Sequence, residues 1–327
     1  MNSSVALIIF NRPDLTAKVF SEIAKAKPEK LFVIADGPRD NHLDDVEKCN
    51  AARAIIDRVD WECKVFKNYS DINLGCGRRP ATGISWVFEH VEEAIILEDD
   101  CVPHPTFFRF CEELLGKYRY DNRIMQINGQ NFHFDRDWTS DSYLFSSFNI
   151  CWGGWATWRR AWQYFDFEIK MWFQLRATSW LSEILKNEQA VEIWQKLFDR
   201  AYESAGEKDF WDYQWRFAFW EKKGLAIMPN VALISNIGFR EDGTHTKSGS
   251  HALANLDCAE MSFPLKHSAI VERHRELDHY YVDRLVRTFQ PRMANRRENP
   301  IKKMSSQLWS KCLVKIKKKI RWGSNAL

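Results

Sequence analysis

Four short apolar runs, separated by segments with helical spacing, recur along the first hundred residues, and this alternation constrains the fold more than any other feature. Val5 to Phe10 is the first run, and Pro13 then opens a helical segment carrying Leu15, Val19, Phe20 and Ile23. Leu31 to Ala35 is the second run, Val46 to Val59 reads as a helix, and Cys63 to Phe66 as a third strand. Arg78 to Val91 is the helix before the fourth run, Ala94 to Leu97. Runs that are apolar at consecutive positions have to be buried on both faces, which in a β-α-β alternation implies a parallel sheet covered by helices. The expected class is therefore α/β: a Rossmann-like, mostly parallel sheet with helices on both faces. Ligands on such sheets sit beyond the carboxyl ends of the strands.

Polar residues follow every one of these runs. Asn11-Arg12-Pro13 follows the first, Asp36-Gly37-Pro38 the second, the segment from Asn73 to Arg78 the third, and Glu98-Asp99-Asp100 the fourth. Taken singly, each is also what an ordinary turn uses; taken together, they predict one polar rim. The acidic triplet is the most telling. Three adjacent carboxylates repel and raise one another's pKa, so a fold keeps them where a cation or a sugar hydroxyl compensates the charge. That chemistry points to a metal and nucleotide site, the alternative being a solvated acidic turn.

Beyond Pro103 the chain becomes irregular and aromatic. Pro105 to Tyr118 reads as a helix, Arg123 to Asn128 as a strand, Cys151 to Trp158 as a Trp- and Gly-rich loop or short strand, and Leu181 to Tyr202 as a helix in two pieces. A further helix is expected from Asp209 to Lys222, then an apolar run at Val231 to Ile234 leading to Ser235-Asn236-Ile237-Gly238 and Gly243-Thr244-His245-Thr246. The expected organisation is a nucleotide-binding β/α half over 1–103, an acceptor half over 104–290, and a basic tail over 291–327. Eight cysteines without a CxxC pair predict reduced thiols and no structural zinc. No stretch reaches the roughly 20 apolar residues of a membrane span, and VALIIF is too short for a signal peptide and lacks its basic flank. A mature chain starting at or near Met1 in the cytoplasm is the expectation. Eight Lys or Arg and no acid stand beyond Ile301, so the net +3 of the chain becomes −5 for residues 1–300. A body of that sign lacks the basic groove of a nucleic-acid binder, and no nucleic-acid partner is expected.

The motifs together resemble a GT-A glycosyltransferase. The likeness is to the inverting N-acetylglucosaminyltransferase I type, whose strand also ends in Glu-Asp-Asp, and to bacterial sugar transferases carrying EDDxxP, GGWATW, WDYQW, SNxG and THT in this order. It spans about residues 5 to 246. The resemblance implies that Arg12 contacts the donor diphosphate and Asp36 the base, with Arg78 also on the nucleotide side. Asp100 would bind Mn²⁺ or Mg²⁺, while Glu98 and Asp99 hold the ribose and support the site. His245 would stand near the diphosphate or the metal. Asp212 resembles the general base, with Asp209 as its substitute; the alternative for the pair is helix capping, Asp209 as N-cap and Asp212 at N3. Trp152, Trp155, Trp158 and Trp211 would stack on sugar rings, and Gly153 and Gly154 would let backbone approach the acceptor. The segment WDYQW departs from the ExxRW arrangement of many relatives, so the base does not transfer by that comparison.

The implied activity is metal-dependent transfer of a sugar from a nucleotide-diphosphate donor, a UDP-sugar by expectation, to a hydroxyl of a glycan or lipid-linked acceptor. Inversion is expected, within bacterial surface polysaccharide or glycolipid assembly. A sugar-phosphate nucleotidyltransferase would want a GxGxR loop where Phe10-Asn11-Arg12-Pro13 stands. A non-catalytic carbohydrate-binding module would leave the acids without a role. In the tail, Trp309, Cys312, Leu313, Ile316 and Ile320 form a helical stripe among lysines. Such a helix suits an anionic membrane surface, peripheral on the inner face of the plasma membrane, or else docks on its own domain.

Overall fold

Alternate residues of a strand point to opposite faces of a sheet, and the first strand here is buried at both. In the computed structural model, which describes residues 1–131, 136–151, 154–204, 210–240 and 257–294, β1 (Ser4–Ile9) is buried along its whole length. Val5, Leu7 and Ile9 face the main core with Leu31, Val33 and Ala35 of β2 (Lys30–Ala35). Val19, Phe20 and Ile23 of α1 (Pro13–Ala26) cover that face. Pro13 sits in the first turn of α1, where its missing N–H costs nothing. Next come α2 (Asp45–Ala54) with a 3-10 turn at Ile55–Arg58, β3 (Lys64–Tyr69), α3 (Gly75–His90) and β4 (Glu93–Glu98). The opposite face of β2 meets α3, where Phe32 packs edge-on against Trp86, with centroids 5.5 Å apart. Gly83 lies so close to Ile34 that a Cβ there would stand 2.3 Å from Ile34 Cγ2.

The rest of the chain supplies β5 (Cys101–Pro103), α4 (Pro105–Lys117), β6 (Ile124–Asn128), β7 (Tyr143–Ser146), β8 (Trp155–Trp158), α5 (Arg159–Trp162) and α6 (Trp172–Leu175). Then follow α7 (Trp180–Leu185), α8 (Glu188–Glu203), α9 (Asp212–Glu221), β9 (Leu225–Pro229), β10 (Ile234–Asn236) and α10 (Arg275–Ala294). The main sheet has the order β3-β2-β1-β4-β8-β6-β9-β7. Its first four strands are parallel, as the alternation predicts. Beyond them the sheet is mixed: β8 runs antiparallel to both β4 and β6, β9 is parallel to β6, and β7 is antiparallel to β9. The fold is thus α/β with a parallel half and a mixed half.

A second, two-stranded sheet decides where the site lies. β10 pairs antiparallel with β5, setting Asn236 opposite Cys101 and Ser235 opposite Val102. This pairing carries the segment after β10 onto the acidic end of β4. The chain divides into two compact units, Met1–Tyr281 and Val282–Leu327, and the described part of the second ends at Ala294. Among the described residues, no helix is long and apolar enough to cross a membrane, and the seven described cysteines are free thiols.

Candidate functional site

Arg12, in the turn between β1 and α1, reaches across to the end of β4. Its guanidinium holds both Asp99 oxygens, Nη2 on Oδ1 and Nε on Oδ2 at 3.3 Å, while Nη2 stands 3.0 Å from Asp100 Oδ2. Burial disfavours the charge on Arg12, but Asp99, Asp100 and Glu98 outweigh that cost and keep it protonated. The Phe10 N–H also donates to Asp99, so backbone and side chain of one turn grip one carboxylate. One arginine does not balance three acids. Removal from water pushes the Glu98 carboxyl well above the usual carboxylate range, helped by the charges of Asp100 and Asp99 and opposed by Arg12. Burial likewise raises Asp99, with Arg12 opposing and Asp100 adding to the shift.

The β5–β10 pairing covers Asp100 from the other side. The Ile237 N–H donates to the Asp100 carbonyl at 2.9 Å, and Asn236 Oδ1 accepts from the Gly238 N–H at 2.9 Å. A Cβ on Gly238 would lie 2.0 Å from Asp100 Oδ2, so this position tolerates only glycine against the carboxylate. Asp100 Oδ1 accepts from the Cys101 thiol at 3.3 Å. Two motifs distant in sequence, Glu98-Asp99-Asp100 and Ser235-Asn236-Ile237-Gly238, are therefore one structure.

Asp212 lies close enough to the cluster that its charge adds to the upward shift of Glu98, by less than the charges of Asp100 and Asp99 do. It is the first residue of α9, where the helix dipole favours a carboxylate. Its charge is felt at Glu98, at the Cys151 thiol and at Arg216, one turn further along the helix. The capping-box alternative does not hold for Asp212: α9 starts at Asp212, not three residues earlier, and Trp211 occupies the cap position without a side-chain bond. Desolvation pushes Arg216 down to about 10, against the attraction of Cys151 and Asp212. Its Nη2 donates to the Asn149 carbonyl, and its guanidinium lies 5.1 Å from the Phe148 ring centroid and 5.4 Å from that of Trp220.

Other expected site residues are placed differently. Asp36 is buried and its carboxylate is occupied: Oδ1 accepts from the Gly37 and Leu74 N–H groups at 2.9 and 2.8 Å, Oδ2 from Gly75 N–H and Asn73 Nδ2 at 3.0 and 3.1 Å. Burial still raises its pKa against those bonds. Asp36 is thus a clasp between the end of β2 and the start of α3, each of its oxygens accepting from protein donors. Arg78 is exposed in the first turn of α3, its guanidinium 6.0 Å from the Phe167 centroid. Trp155 is only 1% exposed and lies nearly parallel to the also buried Trp211, with centroids 5.8 Å apart. Both belong to an aromatic core with Trp162 and Trp215, so neither offers a sugar its face; Trp158 is buried as well. Gly154 serves packing: its φ is +64°, and a Cβ would lie 2.7 Å from Ile234 Cδ1. Trp152, Gly153, Asp209, His245 and the basic tail lie outside the described residues.

Asp45 was not singled out by any motif, yet it binds the turn that carries Arg12. Its Oδ1 accepts from Asn11 Nδ2 at 2.7 Å, and its Oδ2 from Arg39 Nε at 2.6 Å. The spacing of 34 residues between Asn11 and Asp45 leaves no local pattern that would reveal the bond.

Carboxylate oxygens are the donors Mg²⁺ and Mn²⁺ take, and an excess of buried carboxylate over Arg12 is the charge a divalent ion balances. Among the described residues, no group of three or more His, Cys, Asp or Glu is arranged to hold an ion by itself. Asp100 with its acidic neighbours fits an ion that takes its remaining oxygens from phosphates, the usual habit of Mg²⁺.

No family model and no curated protein matches the chain. Solved structures that resemble it include S. aureus TarS 1–349, at 13% identity and a TM-score of 0.32, over 49% of this chain and 47% of that one. A mannosyltransferase from Pyrobaculum calidifontis in complex with GDP-Man and Mn²⁺ matches at 14% identity and 0.34, over 48% and 45%. A UDP-glucose pyrophosphorylase complexed with UDP-glucose matches at 11% and 0.33, over 70% and 90%. The match spans under half the length of the first two. Likenesses with TM-scores this low decide neither fold nor activity.

Proposed function

We propose that the protein is a metal-dependent glycosyltransferase that uses a nucleotide-diphosphate sugar, with the 1–103 half holding the donor and the 104–290 half the acceptor. The observation that carries this reading is the convergence of Arg12, Glu98, Asp99 and Asp100 with a further carboxylate, Asp212, whose charge reaches Glu98. Asp212 takes the proton of the acceptor hydroxyl as that oxygen attacks the anomeric carbon; the bond from that carbon to the phosphate oxygen breaks, and the diphosphate leaves with the electron pair. Attack from the face opposite the leaving group inverts the centre. Arg12 meets the negative charge that develops on the diphosphate. Asp100, with His245 as a second ligand, would hold a Mn²⁺ or Mg²⁺ ion, which would supply further stabilisation of the leaving group's charge. The donor is read as a UDP-sugar and the acceptor as a glycan or lipid-linked hydroxyl, with the basic tail resting on an anionic membrane.

A thermal-shift panel of UDP, GDP, CMP and dTDP, each with and without Mn²⁺, tests the reading, since a ligand that binds the folded state raises its melting temperature. Stabilisation by one nucleoside diphosphate, larger with Mn²⁺ and lost in Asp100→Ala, is the expected outcome. Indifference to all four with Mn²⁺ present would overturn it. Release of pyrophosphate from a nucleoside triphosphate would instead identify a nucleotidyltransferase.

A further inference from the structure

We infer that Arg12 is the resident counter-cation of this site, a place-holder on Asp100 that a divalent ion has to displace, so that metal and nucleoside diphosphate bind as a coupled pair. The inference rests on the reading of the site given above and concerns how it is loaded.

The surroundings of Asp100 carry the argument. Oδ1 faces the Cys101 thiol at 3.3 Å, and Oδ2 faces Arg12 Nη2 at 3.0 Å. On the Oδ2 side the Gly238 backbone is closed down on the carboxylate, leaving less than the room of one Cβ. That backbone is fixed by the β5–β10 pairing and by the Ile237 N–H on the Asp100 carbonyl, so it is not the part that gives way. Arg12 is. Its Nε and Nη2 both engage Asp99, so it can release Asp100 without leaving the cluster.

Two cations at one carboxylate oxygen repel each other. A divalent ion arriving alone therefore meets an Asp100 already engaged by Arg12, and it binds at the expense of the Arg12–Asp100 contact. A diphosphate changes this balance: its oxygens give Arg12 a new anion and give the ion additional ligands. Each ligand thus favours the other, and such linkage is reciprocal, typically about 5- to 150-fold.

The test measures Mn²⁺ binding directly, by the loss of the free-ion paramagnetic resonance signal, on the full chain without turnover. Wild type, Arg12→Ala and Arg12→Gln are compared with and without UDP, and with GDP in a parallel series. Arg12→Gln keeps a donor for Asp99, so it preserves the fold if Arg12→Ala does not. Both variants are expected to bind Mn²⁺ alone about tenfold more tightly than wild type, and to lose most of the enhancement that nucleotide confers. Adding Asp100→Asn to either variant should abolish the gain, because the gain acts through Asp100. If wild type binds Mn²⁺ and the folded Arg12 variants bind it equally or more weakly, the place-holder role is overturned while the metal site stands. If neither wild type nor variants bind Mn²⁺, with or without nucleotide, the metal reading itself fails and the inference falls with it.

Discussion

Asp45 is nearly enclosed, its side chain 3% exposed, while its partner Arg39 is 43% exposed. Hydrogen bonding to Arg39, then to Asn11, holds the Asp45 carboxyl down at about 2, below the ordinary 3.8, although burial works the other way. A depressed carboxyl binds fewer protons in the folded state than in the unfolded one, so stability is lost as pH falls. The contribution of Asp45 is present above pH 3.8 and disappears as the pH passes down through about 2. Thermal melts at steps between pH 4.5 and 2 should show a shallower fall for Asp45→Asn than for wild type; parallel curves would refute the assignment. At the other end of the site, Asp212→Asn should keep nucleotide affinity and lose about 10²- to 10⁴-fold in transfer, the usual cost of a general base. Near-normal transfer in that variant would return the role to Asp209. At this scale the acids and Arg12 were legible because charged residues after apolar runs have no place in a core. Asp45 was hidden because its role depends on a contact between distant turns. Trp155 and Trp211 were misjudged because an aromatic residue beside glycines has the same local pattern whether it lines a pocket or fills a core.

Among the elements, the packing of α3 on β2 has little tolerance. An Ala at Gly83 gains about 1 kcal/mol of helix propensity. It also drives a Cβ to 2.3 Å from one Ile34 carbon and 2.9 Å from two others, and overpacking of a fully buried side chain costs roughly 1–3 kcal/mol. Urea denaturation of Gly83→Ala should therefore show a net loss of stability, and an unchanged midpoint would mean that α3 shifts freely. β1, β2 and β4 were legible because strands buried on both faces leave long apolar runs, whereas β3, the half-exposed edge strand KVFKNY, was placed by the alternation around it. β7 and β9 escaped notice: they are four and five residues long, and the apolar run noted at Val231–Ile234 leads into β10, which begins at Ile234. The reversal of β8 has no local mark at all, since a strand's direction follows from where the chain enters the sheet.

For the whole molecule, charge is segregated along the sequence, with the excess of lysine and arginine beyond Ile301. Deleting residues 301–327 should release the protein from vesicles containing phosphatidylserine while leaving activity on a soluble acceptor intact. Binding of the full chain should weaken as salt shortens the Debye length to about 3 Å at 1 M. Equal, salt-insensitive sedimentation of both chains would remove the membrane from the proposal. The pairing of β5 with β10 has a consequence in time. Cys101 and Asn236 are 135 residues apart, so a nascent chain can close its first four strands, with Arg12 on Asp100, long before the segment after β10 covers that carboxylate. At about 5–20 residues per second, the ribosome needs roughly 7–27 s to make the missing segment. Throughout that interval the acidic end of β4 is open to water, and any cation can reach it from the side that Gly238 later seals.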